Sequence, residues 1–321
     1  MTRLLLWALL FALPAGAQEK KTTPEAQKKA AAAAMTAAGV KDATVVESAH
    51  LVFASALPEA KAKAVVETLE KVHALGTKAL RFEGAAADEP KTTVFAFGDV
   101  DAFRGYVRTV LKRSPDKDEF TAIDAKSDGP VVAVSAKRGE KTPNYEALIS
   151  PEITNLLLKK KGGNSVIDGW MKDGFYKAVM SRIDAKVGAA EKAKLRTLAK
   201  PLPKGAKITY TVVEKAWWVP ADATMPATPP ADKDAVGMSL MEFFTFGPGH
   251  AKFGQVLSGL IPVNNRDTAS MTEAVKNVDW TDGKEPAKVD PKAPEPRGPE
   301  GLERVWRGWV SKGSPPAKDG K

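Results

Sequence analysis

Apolar positions along the chain change texture near its middle, and the change predicts two kinds of architecture. From Glu47 to Val134, short apolar runs alternate with stretches at helical spacing. His50-Leu51-Val52-Phe53-Ala54 predicts a strand, and Pro58 to Gly76 carries Ala62, Val65, Val66, Leu69, Val72 and Leu75 along one helix face. Thr92 to Phe97 is β-branched and aromatic, hence a strand, and Asp99 then offers an N-cap to a helix presenting Phe103, Tyr106, Val107, Val110 and Leu111 together. Gly129-Pro130 introduces Val131 to Val134, a run of the length and apolarity of a buried strand.

Beyond residue 140 the pattern is mostly helical. Pro143 to Lys161, Val166 to Ile183 and Ala189 to Lys200 carry helical periodicity, and Pro201 and Pro203 close the last of them. Ile208 to Val213 predicts a strand, Pro220 to Pro230 a loop, and Met238 to Phe246 and His250 to Leu260 two helices broken at Gly247-Pro248-Gly249. The prolines between Asp282 and Glu300 predict a disordered insertion, after which Leu302 to Val310 returns to an amphipathic helix with Val305, Trp306, Trp309 and Val310 on one face. Residues 311–321 read as a disordered tail.

At the other end, Met1-Thr2-Arg3, the apolar run Leu4 to Leu13 and the small residues Ala15-Gly16-Ala17 match a signal peptide over residues 1–17. Cleavage near Ala17 predicts export to a periplasmic or extracellular space. No later stretch has the roughly 18 uninterrupted apolar residues of a spanning helix. Residues 18–42 are rich in Ala and Lys, with Thr23 as candidate N-cap, Pro24 at the first helical position and Gly39 as a stop, which reads as a mobile helix.

Composition removes whole classes of chemistry. With no Cys, disulfide frameworks, thiolate metal sites and cysteine nucleophiles are excluded. The net charge of +9 is scattered among acids and bases, without the basic patch and stacking aromatics that nucleic-acid binding requires. Neither G-x-S-x-G nor a phosphate-cradling glycine loop occurs, and Ser114-Pro115-Asp116-Lys117 satisfies S-x-x-K only within a turn. Lys159-Lys160-Lys161 reads as a helix end complementing the macrodipole, and Trp217-Trp218 with Phe243, Phe244 and Phe246 as core.

One ordered set of motifs remains. Ser150-Pro151-Glu152-Ile153-Thr154-Asn155-Leu156 is followed, after Lys161-Gly162-Gly163, by Gly169-Trp170-Met171-Lys172-Asp173-Gly174-Phe175, and the chain closes on Trp306-Arg307-Gly308-Trp309-Val310. Taken with the preceding α/β part, this order resembles the gluzincin-type, peptidase-MA-like zinc metallopeptidases. In that family a helix bears H-E-x-x-H, a W-[L/M]-x-E-G segment about twenty residues later supplies the third zinc ligand, and a W-x-x-W helix often ends the domain. The resemblance spans roughly Glu47 to Val310.

The match breaks where zinc chemistry needs it. Histidines at i and i+4 lie one above the other on a helix face, so both imidazoles reach one ion while the intervening Glu polarises its water. Here those positions are Pro151 and Asn155; only Glu152, at the base position, and Asp173, at the third-ligand position, keep carboxylates. The same stretch also reads simply as a helix start, with Ser150 as cap, Pro151 at N1 and Glu152 at the positive end of the dipole. His50, His73 and His250 are not three or four residues from one another.

The resulting expectation is an α+β fold: an N-terminal mixed α/β sheet part (43–140), then a mainly helical half (141–310), gluzincin-metallopeptidase-like. Glu152 is expected to be vestigial, Pro151, Asn155 and Asp173 remnants of ligand positions, and Trp170 and Tyr176 cleft candidates. No metal or other cofactor is expected. The partner is expected to be an extended peptide or an envelope protein, with no nucleic acid and no transmembrane segment. Two alternatives stand beside it: an active hydrolase whose metal is held by Glu152, Asp173 and a distant His, and a structural or adaptor envelope protein without peptidase ancestry.

Overall fold

Three strands whose residues are apolar on both sides organise the N-terminal half. In the computed structural model, which describes residues 23–82, 90–126, 129–140, 142–198, 208–209, 219–220, 230–261, 271–280 and 297–314, these are β2 (Leu51–Ser55), β3 (Thr92–Phe97) and β5 (Gly129–Ser135). They run parallel, in the register Phe53↔Val94 and Val94↔Val132. Antiparallel β1 (Thr44–Glu47) and β4 (Thr121–Lys126) flank them, giving the order β1-β2-β3-β5-β4. Successive residues of a strand face opposite sides, so continuous apolar runs are stable only if both faces are covered.

Both faces are covered here. Leu51, Phe53, Val94, Ala96, Val132 and Val134 point into one core, and Val52, Ala54, Phe95, Phe97 and Ala133 into a second. The first core is closed by α2 (Glu59–Ala79) and α4 (Tyr145–Gly162), the second by α1 (Pro24–Ala37) and α3 (Val100–Thr109). α3 starts at the Asp99 cap expected from the sequence, its side chain accepting from the Ala102 amide at 2.8 Å.

α1 has the Thr23 cap and the Pro at its first turn that the sequence predicts. It is, however, docked on the sheet and not a free arm: Gln27, Ala31 and Met35, at i, i+4 and i+8, form a buried stripe, and Gln27 Nε2 donates to the Lys91 carbonyl at 3.1 Å. The Ala-rich composition hid this stripe, because alanine carries too little apolar contrast to mark a face.

The first core continues without interruption into the helical half. α5 (Gly169–Met180) packs against α4 and, most intimately, against α7 (Pro230–Thr245). A Cβ on Gly174 would lie 2.5 Å from the Gly237 carbonyl oxygen, so the lack of a side chain at Gly174 permits this close approach to the α7 backbone. α6 (Ala189–Leu198), α8 (His250–Gly259), the short α9 (Met271–Val275) and α10 (Gly298–Ser311) complete the described helices, and β6 (Ile208–Thr209) pairs with β7 (Val219–Pro220).

Phe243 and Phe244 are fully buried, packed on Trp280, and Phe243 also meets Trp309 edge-on at 5.6 Å between centroids. In α10 the Trp306 indole is buried and donates to Ser239 Oγ at 3.0 Å. α10 begins at Gly298, so the last residues of the expected insertion are helical; residues 281–296 lie outside the described set. The same holds for the signal peptide, Trp217-Trp218, most of the Pro220 to Pro230 stretch and the tail from residue 315. Among the described residues, no helix is long and apolar enough to cross a membrane.

Since Met35 is fully buried in the second core, Met35→Ala is expected to lower unfolding stability by about 2–5 kcal/mol, read from the urea midpoint. A change within experimental error would mean that α1 is not docked in solution.

Candidate functional site

α4 carries three of the four remnant positions. It begins at Tyr145, where the Asn144 side chain accepts from the Ala147 amide at 2.9 Å, so Ser150 is not the cap and Pro151 lies inside the helix. The helix-start reading of Ser150-Pro151-Glu152 is therefore corrected. A proline there removes one i→i−4 hydrogen bond, and the buried Thr154 hydroxyl lies 3.1 and 2.9 Å from the Ser150 and Pro151 carbonyls. The helix continues because Ile149, Ile153, Leu157 and Leu158 anchor its other side in the core.

The buried stripe of α4 runs through Ile149, Ser150, Ile153 and Thr154, which turns Pro151, Glu152 and Asn155 to a half-exposed stripe. Burial pushes the Glu152 carboxyl above its ordinary range, and the Asp173 carboxylate on α5 pushes the same way. A hydrogen bond from Asn155 and the charges of Lys159 and Lys172 partly offset them. The Asn155 Oδ1 is buried with no hydrogen-bond partner. Asp173 itself is exposed.

Helix packing thus brings Glu152 and Asp173 within electrostatic reach of each other. Trp170 is 7% exposed and belongs to the core, leaving little surface for a ligand, while Tyr176 is half-buried against it. Gly174, the last position of the W-x-x-x-G segment, is explained by its contact with Gly237. That part of the motif is set by packing.

Two carboxylates of like charge and an amide make a weak set for zinc, whose protein sites are built on imidazole and thiolate. Among the described residues, the one cluster of three metal-type donors does not include Glu152 or Asp173. His250, at the start of α8, is pushed down to about 4 by burial and by the nearby charges of Arg81 and Lys161, so it is neutral at physiological pH. Ser114 sits in an irregular segment just before the turn at 117–118, beside the Arg113–Glu119 ion pair, with Glu119 Oε2 accepting from the Asp116 amide at 3.0 Å. A shallow open groove of about 560 Å³ lies elsewhere, lined by Lys71, Ala74, Leu75, Lys78, Arg182 and Ile183. Its Arg182 is engaged by Glu242 at 2.7 Å and lies over the Phe246 ring.

The donor cluster is His50, Glu70 and His73. His50 sits in the tight turn between β1 and β2, not in the strand that its apolar neighbours suggest. Glu70 and His73 are i and i+3 on α2, hence on one face. Spacing between histidines alone could not find this group; the signal was the Glu-x-x-His step on a predicted helix, with the third member supplied by a hairpin distant in sequence.

Glu70 Oε1 accepts from the Ser48 hydroxyl at 2.6 Å and the His50 amide at 2.8 Å, and Oε2 lies 2.8 Å from His50 Nδ1. Burial works against this carboxylate, but these bonds together hold it below its ordinary range. The His50 and His73 rings stack at 4.2 Å, inclined by 21°.

No family model matches the chain, and no curated protein matches it.

The raised Glu152 pKa fixes a sign. The fold favours the protonated form, so its contribution is fully present below the ordinary value of 4.5 and is lost as pH rises through the raised value. Glu152→Gln is expected to raise the melting temperature at pH 7, with the gain vanishing below pH 4.5. A loss at pH 7 would mean that the Glu152 charge is held by a favourable partner such as a metal ion.

Proposed function

We propose that this chain is an exported, non-catalytic relative of the gluzincin-type zinc metallopeptidases that holds an extended polypeptide in the cell envelope without cutting it. The observation that carries the reading is the arrangement on α4 and α5. Pro151, Glu152 and Asn155 share one half-exposed helical stripe, and Asp173 on the packed neighbouring helix acts on Glu152. In the resembled family these positions belong to a metal-binding helix pair, but here the two that would need imidazoles hold a proline and an amide. Glu152 is then a remnant of a catalytic base with no metal-bound water to activate.

A binding role is supported by the sheet. β4 ends the sheet with its outer edge unpaired among the described residues, and α4 packs on β5, the strand beside it. An open antiparallel edge offers main-chain donors and acceptors to an extended peptide, whose backbone supplies affinity with little demand on sequence. Export is supported by the N-terminal composition, Met1-Thr2-Arg3 followed by the apolar run to Leu13.

Fluorescently labelled, unfolded casein tests the activity directly. Saturable binding with the casein recovered intact in the presence of zinc is the expected result; fragments would overturn the non-catalytic reading, and no binding would overturn the polypeptide-holding one. Ancestry has its own test: Pro151→His with Asn155→His and Asp173→Glu, made together with His50→Gln and His73→Gln, should create zinc affinity that the His50→Gln/His73→Gln protein lacks. Equal zinc binding by the two proteins would count against a gluzincin scaffold.

A further inference from the structure

We infer that His50, Glu70 and His73 form a binding site for a divalent metal ion of the zinc class, spanning the β1–β2 turn and α2 and sharing no residue with the Glu152–Asp173 pair. One ligand atom from each of the three residues lies within 4.8 Å of the other two. Donors about 2.1 Å from a tetrahedral ion are about 3.4 Å apart, so the group needs to close by little more than an ångström. His50, already bonded to Glu70 and stacked on His73, has a side chain that is 41% exposed, which leaves room on its solvent side for that adjustment.

The group is already half organised for this task. Glu70 is ionised and accepts from His50 Nδ1. The ion would sit between these two atoms, bound by Nδ1 of an imidazole that carries its hydrogen on Nε2. Glu70 cannot swing away, since Oε1 is held by the Ser48 hydroxyl and the His50 amide. The turn is fixed in its own right: the Ser48 amide donates to the Leu51 carbonyl and the Thr92 amide to the His50 carbonyl, each at 2.9 Å. Lys91, the cation that reaches this turn at the Ser48 carbonyl, is neutralised by Glu47 at 2.6 Å.

His73 separates a metal site from a turn clamp. Glu70 already fastens the hairpin to α2 with three bonds, to the Ser48 hydroxyl and to the His50 amide and ring. Stacking a second imidazole on His50 contributes nothing to those bonds and places a second ligand nitrogen beside the first. Two imidazole nitrogens with one carboxylate oxygen suit zinc, copper(II), nickel or cobalt, and are a poor set for calcium or magnesium, which take oxygen ligands. Three protein ligands leave a fourth position for water or an exogenous group. Bound there, the ion would pin the edge hairpin of the sheet to α2.

Zinc chloride titrated into tag-free full-length protein, against a chromophoric chelator, tests the site. One equivalent should bind, and His50→Gln and His73→Gln should each weaken it by more than about 100-fold, beyond the 10–100-fold typical of losing an outer-shell partner. Circular dichroism and the metal-free melting temperature of each variant establish that it folds, and zinc should raise the melting temperature of the parent protein but not of the two His variants. Glu152→Ala with Asp173→Ala should bind zinc like the parent. Equal affinity in parent and His variants, absence of micromolar binding, or loss of zinc in the Glu152→Ala/Asp173→Ala protein would each overturn the assignment.

Discussion

Burial of β2, β3 and β5 on both faces is the constraint from which the rest of the structure follows. Parallel strands with alternating residues in two cores require a helical layer on each side. α1 and α3 meet that demand on one side, and α2 and α4 on the other. Because the side closed by α2 and α4 continues into α5, α7, α8 and α10, the sheet determines where α4 lies, and α4 in turn positions α5. Glu152 and Asp173 come within electrostatic reach of each other through that chain of packing.

The same layer carries two polar constellations of different character. On α4 and α5, a half-buried carboxyl is raised by burial and by a like charge, with an amide as its local hydrogen-bond donor. On α2, a carboxylate is held below its ordinary range by three converging bonds and lies beside a stacked pair of imidazoles. The first arrangement disfavours negative charge and the second concentrates it beside two imidazoles. Cation chemistry therefore belongs to the α2 cluster on electrostatic grounds, although the resemblance in sequence directs attention to α4.

Local patterning was a good guide wherever contrast between apolar and polar residues was strong. The strands Leu51–Ser55 and Thr92–Phe97, the Asp99 cap and the Trp306-Trp309 face all appear where the residues place them. It failed where contrast was weak or where a local rule competed with packing. Alanines concealed the docking stripe of α1, and Pro151 suggested a helix start because its preference for the first turn is a local rule, overridden here by the buried side of α4. His50 was drawn into the strand by its apolar neighbours, whereas the tight turn to β1 leaves it outside.

By itself the sequence determined the three central strands, most of the helices, the absence of thiol chemistry and the lack of imidazoles at 151 and 155, since these depend on residue type and near-neighbour spacing; the flanking strands β1 and β4 were not legible in it. Tertiary structure alone decided that Glu152 feels Asp173, that Gly174 answers to Gly237, and that His50 joins Glu70 and His73. Each of these pairings links segments that periodicity treats separately, and only the packing of helices on a doubly covered sheet brings them to one place.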